Sequence, residues 1–206
     1  MPDLNPSKIV CVGRNYAAHA RELGNEVPKQ PLLFLKPPSS LIGSGASIRL
    51  PPVSNRVEYE GEIGVIIGTR LRSASKAEAR QGIASLCAVN DVTARDLQKS
   101  DVQFTRAKGF DSFCPVGPLG PVPEELSELQ IRTLVNGEVR QEGRASDMVF
   151  DIPTLLSYIS AVMTLEPGDL VLTGTPEGVG TLSHGDVVEV EVVGVSRVSN
   201  PVISDS

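Results

Sequence analysis

Val57-Glu58-Tyr59-Glu60-Gly61-Glu62-Ile63-Gly64-Val65-Ile66-Ile67-Gly68 sets three carboxylates at alternate positions ahead of an apolar, β-branched run. Tyr59, Ile63, Val65 and Ile67 give the stretch its strand character, because branched and aromatic side chains pack well on a pleated surface. In a strand, residues i, i+2 and i+4 share one face, about 7 Å apart per step. Glu58, Glu60 and Glu62 then point the same way and repel, and partial burial makes each charge costlier. A divalent cation such as Mg²⁺ or Mn²⁺, which takes oxygen ligands, would compensate them. So would water on the outer face of an edge strand. On this stretch alone both readings stand.

Outward from it, the chain reads as many short strands. One covers residues 8–12 and ends at Gly13; Asn15 is placed to cap a two-turn helix through Glu22, closed by Gly24. Further strands fall at 32–35, halted by Pro37-Pro38, and at 47–50. Residues 75–81 read as a helix with Glu78 in its first turn, and 84–90 as an apolar strand ending at Asp91. Val135-Asn136-Gly137-Glu138-Val139 is a type I′ hairpin signal. Asp151-Ile152-Pro153 starts a helix to about Met163, with Leu155, Leu156, Ile159 and Val162 on one side. A strand at 170–173, a tight loop at 174–180, a turn at His184-Gly185-Asp186 and an alternating strand at 187–195 complete the chain. Nineteen glycines and sixteen prolines in 206 residues favour frequent turns over long helices. There is no βαβ rhythm, repeat or linker. The expected fold is a β-rich α+β single domain over 1–206, a rolled or folded sheet with short flanking helices.

A net charge of −6 argues against nucleic acid or an anionic membrane as partner. Cys11, Cys87 and Cys114 lie among apolar neighbours with no metal-like spacing, which fits buried, reduced thiols. No run approaches the roughly 20 apolar residues of a spanning helix, and no leader pattern opens the chain. A cytoplasmic location is the expectation.

Several residues can carry chemistry. Asp91, in Asn90-Asp91-Val92-Thr93-Ala94-Arg95-Asp96, ends an apolar strand and can complete a carboxylate set or simply cap the next turn. His19 and Glu22 lie three apart on the short helix, so they can meet. A carboxylate beside an imidazole raises its basicity and fixes its tautomer for proton transfer, though such pairs also occur idly on surfaces. His184 sits in a turn that faces water. Lys108, in Arg106-Ala107-Lys108-Gly109-Phe110-Asp111, reads as part of a packed loop; it and Lys36 can each balance an anion or face solvent. Residues 173–180 are glycine-rich but lack the lysine and following helix of a phosphate loop. They can still present Thr175 and backbone N–H groups to a carboxylate.

Taken in order, Val12-Gly13-Arg14-Asn15-Tyr16, Tyr59-Glu60-Gly61-Glu62, the Asn90–Asp96 and Arg106–Asp111 blocks and Leu172-Thr173-Gly174-Thr175-Pro176-Glu177-Gly178-Val179-Gly180 resemble the signature blocks of the fumarylacetoacetate hydrolase family. The resemblance implies a mixed β-sandwich roll, a homodimer, and Mg²⁺ or Mn²⁺ held by Glu60, Glu62 and Asp91. Glu58 would lie outside that ligand set, behind it or in solvent. His19 and Glu22 match the family's dyad on a lid-like segment, and Lys108 matches the lysine near the reacting centre. Arg14 and Thr175 match residues that hold substrate oxygens, with Gln98 beside them. The compact N-terminus is similar to acylpyruvases and fumarylpyruvate hydrolases. The implied reaction is hydrolysis of a small 2,4-dioxo acid through a metal-held pyruvate enolate. Oxaloacetate decarboxylation and 2-hydroxyhepta-2,4-diene-1,7-dioate-type isomerisation use the same enolate, and a non-catalytic metal- and metabolite-binding relative is the rival from another class.

Overall fold

A computed structural model describes residues 4–204. Its largest sheet has seven strands in the order Leu32–Lys36, Ile9–Gly13, Leu170–Leu172, Gly61–Ile67, Ile83–Asn90, Cys114–Val116, Leu41–Gly43. Ile9–Gly13 pairs with Leu170–Leu172 in parallel, whereas Gly61–Ile67 pairs with both its neighbours antiparallel. A second, five-stranded sheet runs Glu138–Arg144, Gln130–Val135, Val187–Val192, Ser196–Ser204, Ile48–Leu50. Val57–Tyr59 belongs to a small third sheet between Gly180–Thr181 and Thr93–Ala94. The fold is β-rich α+β with mixed sheets and short helices, as the sequence implies.

The layers follow from where apolar side chains fall. Gly61–Ile67 is buried along its whole length because it lies mid-sheet with both faces covered. Ile63, Val65 and Ile67 pack with Leu155, Leu156 and Ile159 of the helix Ile152–Val162 and with Ile131, Val190 and Val198 of the second sheet. On the opposite face Ile66, Cys87, Val89, Leu170 and Leu172 form another cluster. Truncating such a residue to alanine costs about 2–5 kcal/mol, so these clusters fix the relation between the sheets. All three cysteines are free and buried. Burial pushes the Cys114 thiol up to about 12, which keeps it protonated and inert.

The hairpin forms where the sequence places it, with Asn136 and Gly137 both at positive φ (54° and 81°) between Gln130–Val135 and Glu138–Arg144. Asp151 caps its helix by accepting the Thr154 N–H at 2.7 Å. Ser75 and Glu78 close a reciprocal capping box on Lys76–Gln81.

Four expectations change. The strand quoted first breaks at Glu60, so Val57–Tyr59 and Gly61–Ile67 lie in different sheets. Asn15 does not cap the helix Ala17–Glu22; its side chain instead bonds Thr173 and Phe150, stitching two distant loops. Lys108 ends a short helix, Thr105–Lys108, following a second unforeseen helix, Arg95–Ser100. The terminal alternating run is two antiparallel strands, Val187–Val192 and Ser196–Ser204, turning at Gly194. Among the described residues no helix is long and apolar enough to cross a membrane.

Candidate metal centre

The break at Glu60 builds the site. Gly61 permits it: a Cβ there would fall 2.0 Å from Thr133 Oγ1. Any larger residue would collide with the second sheet, so the chain crosses between sheets at glycine. Glu60 and Glu62 flank that crossing. Asn90 ends the neighbouring strand opposite Gly61, and its Oδ1 accepts the Glu60 N–H at 3.0 Å. Asp91 follows, its N–H bonded to the Glu60 carbonyl at 2.8 Å. Glu60, Glu62 and Asp91 are 5%, 1% and 0% exposed, and each offers an oxygen within 4.8 Å of the others.

Cations surround two of the three. Lys108 Nζ donates to Glu60 Oε2 at 2.8 Å and to Asp91 Oδ2 at 2.7 Å. Lys36 Nζ donates to Asp91 Oδ1 at 2.6 Å. Arg95 bridges Glu60 Oε1, Glu58 Oε2 and Gln98 Oε1. Among the described residues no cationic side chain pairs with Glu62, whose Oε2 accepts only the Gly174 N–H, at 2.6 Å. Burial first, and then the Asp91 and Glu60 charges, push the Glu62 carboxyl well above its ordinary value. For Glu60, burial acts upward too, but Lys108, Arg95 and His19 outweigh it and hold the group below the carboxylate range. Lys108 is likewise held protonated, since Asp91 and Glu60 outweigh its desolvation. An all-oxygen set with one buried, cation-free carboxylate fits a hard divalent ion such as Mg²⁺ or Mn²⁺.

Glu58 stands apart. It is wholly buried and paired with both Arg56 and Arg95, so it is neither solvated nor aimed with the other two. The kink at Glu60 turns it into the counter-charge of the arginine behind the site.

A cavity of about 440 Å³ opens over the carboxylates, and Arg14, His19, Glu22, Glu60, Glu62, Asp91, Gln98, Lys108 and Thr175 all line it. His19 Nδ1 lies 3.2 Å from Glu22 Oε2, and Glu22 also accepts the Gly178 N–H at 3.0 Å. That ties the short helix to the glycine-rich loop and holds the imidazole's Nδ1 edge. Arg14, at φ 58°, turns the chain out of Ile9–Gly13 towards the cavity. Lys108 Nζ sits 5.0 Å from the Phe34 ring centre, inside cation–π range. Sequence reasoning missed Arg95 and left Lys36 open. Each is a buried cation, and the number of acids converging on one spot was the available signal for them.

Residues 8–203 match the family described as fumarylacetoacetate (FAA) hydrolase C-terminal. The chain belongs to the fumarylacetoacetate hydrolase family. The mitochondrial oxaloacetate tautomerase FAHD1 of Arabidopsis thaliana is 43% identical over 198 residues, 93% of this chain and 89% of the relative. Among solved structures, 5-carboxymethyl-2-hydroxymuconate delta-isomerase from Mycobacterium smegmatis superposes with a TM-score of 0.90 at 45% identity, covering 98% of this chain and 80% of that one. Fumarylpyruvate hydrolase from Pseudomonas aeruginosa, solved with Mn²⁺ and pyruvate, has a TM-score of 0.92 at 30% identity, covering 98% and 91%. Family relatives are thus enzymes of several reaction types on one fold.

Proposed function

We propose that this protein is a divalent-metal-dependent enzyme that cleaves a C–C bond in a small 2,4-dioxo acid of the acylpyruvate or fumarylpyruvate type. One observation carries the reading: three buried carboxylates share a cavity floor with a His–Glu pair and a buried lysine. Glu60, Glu62 and Asp91 would hold the ion, Mg²⁺ or Mn²⁺, which supplies Lewis acidity towards the oxygens of a 2-oxo acid. Arg14, Gln98 and Thr175 orient those oxygens. His19, its Nδ1 engaged by Glu22, accepts a proton at Nε2 from water as the water oxygen attacks the distal carbonyl. The C–C bond then breaks, its electron pair moving onto the pyruvate fragment as an enolate. Lys108 offsets that charge and assists protonation at carbon. The products are pyruvate and the acid from the distal side.

Likeness to an oxaloacetate tautomerase and to a delta-isomerase supports a second reading on the same residues. Enolate formation on oxaloacetate, ending in tautomerisation or decarboxylation, needs no attacking water and so less of His19. Turnover of acetylpyruvate and oxaloacetate, measured side by side with Mg²⁺ and with chelator, separates the readings. Metal-dependent loss of the diketone absorbance that outpaces oxaloacetate turnover supports hydrolysis. Preferential turnover of oxaloacetate supports the second. Silence on both, with metal still bound, would turn the reading to isomerisation of a 2-hydroxyhepta-2,4-diene-1,7-dioate-type acid, and inactivity there too would replace catalysis with metabolite binding.

A further inference from the structure

Gln141 lies on Glu138–Arg144, the edge strand of the second sheet, yet its side chain is only 1% exposed and reaches the cavity wall. Its Oε1 accepts the Gly61 N–H at 3.0 Å. Its Nε2 donates to Thr175 Oγ1 and to the Pro176 carbonyl, both at 2.8 Å. The two ends of the amide cannot be exchanged. A backbone N–H only donates and a carbonyl only accepts, so the oxygen must face Gly61 and the nitrogen the loop. Close packing fixes the same register, since a Cβ on Gly178 would lie 2.3 Å from the Arg140 carbonyl oxygen.

This decides the polarity of Thr175. Its oxygen is an acceptor on the Gln141 side, and its own proton has no acceptor among the described residues while the residue lines the cavity. We propose that Gln141 is a positioning residue that makes Thr175 a hydrogen-bond donor to an anionic oxygen of the 2-oxo acid. It also ties that donor to the Glu60-Gly61-Glu62 crossing, so substrate oxygen and carboxylate set keep one spacing. The assignment rests on the functional reading above. An acid at position 141 would accept from Thr175, turn the hydroxyl round and abolish the donor.

The test uses oxalate, a planar dianion resembling the enolate, titrated calorimetrically into Mg²⁺-loaded protein. Mn²⁺ affinity is measured in parallel as the control for an intact carboxylate set. Thr175→Val should weaken oxalate by about 10- to 100-fold, the range for a hydrogen bond to a charged group. Gln141→Glu and Gln141→Met should fall in the same range, while Mn²⁺ affinity stays within about threefold. Thr175→Ser should bind like wild type. The Gln141→Met/Thr175→Val double variant should lose little beyond Thr175→Val alone. Additive losses, or Gln141 variants that bind oxalate normally while Thr175→Val does not, overturn the positioning role alone. Parallel loss of Mn²⁺ affinity would mean that Gln141 serves the crossing instead, and also overturns it. Normal oxalate binding by Thr175→Val would overturn the placement of Thr175 on the substrate, and this inference with it.

Discussion

Gly61→Ala tests the geometry on which the site depends. The new Cβ would lie 2.0 Å from Thr133 Oγ1, 3.2 Å from Val190 Cγ1 and 3.4 Å from Gln141 Oε1. Comfortable non-bonded separation is about 3.5–4 Å, so something must move by about 1.5 Å. Thr133 cannot yield easily, since it is buried on Gln130–Val135, hydrogen-bonded to strands on both sides. Overpacking of this kind costs about 1–3 kcal/mol, and for a chain of this length each kcal/mol is worth about 2–4 °C. The melting temperature should fall by about 2–12 °C, and Mn²⁺ affinity should drop as Glu60 and Glu62 are pushed apart. The Thr133 hydroxyl makes no hydrogen bond among the described residues, so Thr133→Ala forfeits packing alone, about 1 kcal/mol. Added to Gly61→Ala it should restore most of the stability and metal affinity, giving a coupling of about 2 kcal/mol. Thermal unfolding of the four proteins, with Mn²⁺ calorimetry on each, completes the cycle. Wild-type melting and metal affinity in Gly61→Ala, or a double variant no better than the single, would refute the reasoning.

Glu60→Ala should abolish turnover and sharply weaken Mn²⁺ binding, whereas His19→Ala should slow turnover by about 100-fold or more and leave metal affinity within a few-fold; full turnover in either contradicts the site. Glu58→Ala leaves the buried Arg95 one carboxylate short, a loss of about 3–5 kcal/mol. Its melting temperature should fall by about 6–20 °C while Mn²⁺ affinity changes only a few-fold, and the opposite pattern would make Glu58 a ligand. Burial pushes Asp169 up, but Lys8, Ser7 and the Glu166 N–H outweigh it and hold its carboxyl below the Asp range. Its contribution is therefore present above the unfolded value of about 3.9 and lost as pH falls through the lower folded value. Asp169→Asn should melt a few degrees lower at pH 7 with the gap closing towards pH 3, and a pH-independent gap in scanning fluorimetry would contradict this.

Signals that act over a few residues were legible in the sequence. Asn136-Gly137 specified its hairpin and Asp151-Ile152-Pro153 its helix start, because turn and cap chemistry is local. Alternation identified Gly61–Ile67 as a strand but could not register the break at Glu60, which depends on Thr133 some 70 residues later filling the space beside Gly61. Hence alternation alone groups Glu58 with Glu60 and Glu62, whereas it pairs with Arg56 and Arg95, apart from them. Asn15 misled for a related reason: its amide serves Thr173 and Phe150, partners brought near only by the fold. The family resemblance named nine residues, and all nine line one cavity. It gave no role to Lys36, Arg95 or Gln141, whose importance comes from what they touch, although Arg95 stands inside one of the blocks.

The central claim is that Glu60, Glu62 and Asp91 form the metal site. Anomalous diffraction at the manganese edge, from crystals soaked in Mn²⁺, tests it most directly. One strong peak per chain bonded to oxygens of all three carboxylates is the predicted result. A peak elsewhere, or none among these three under conditions that support turnover, would contradict it.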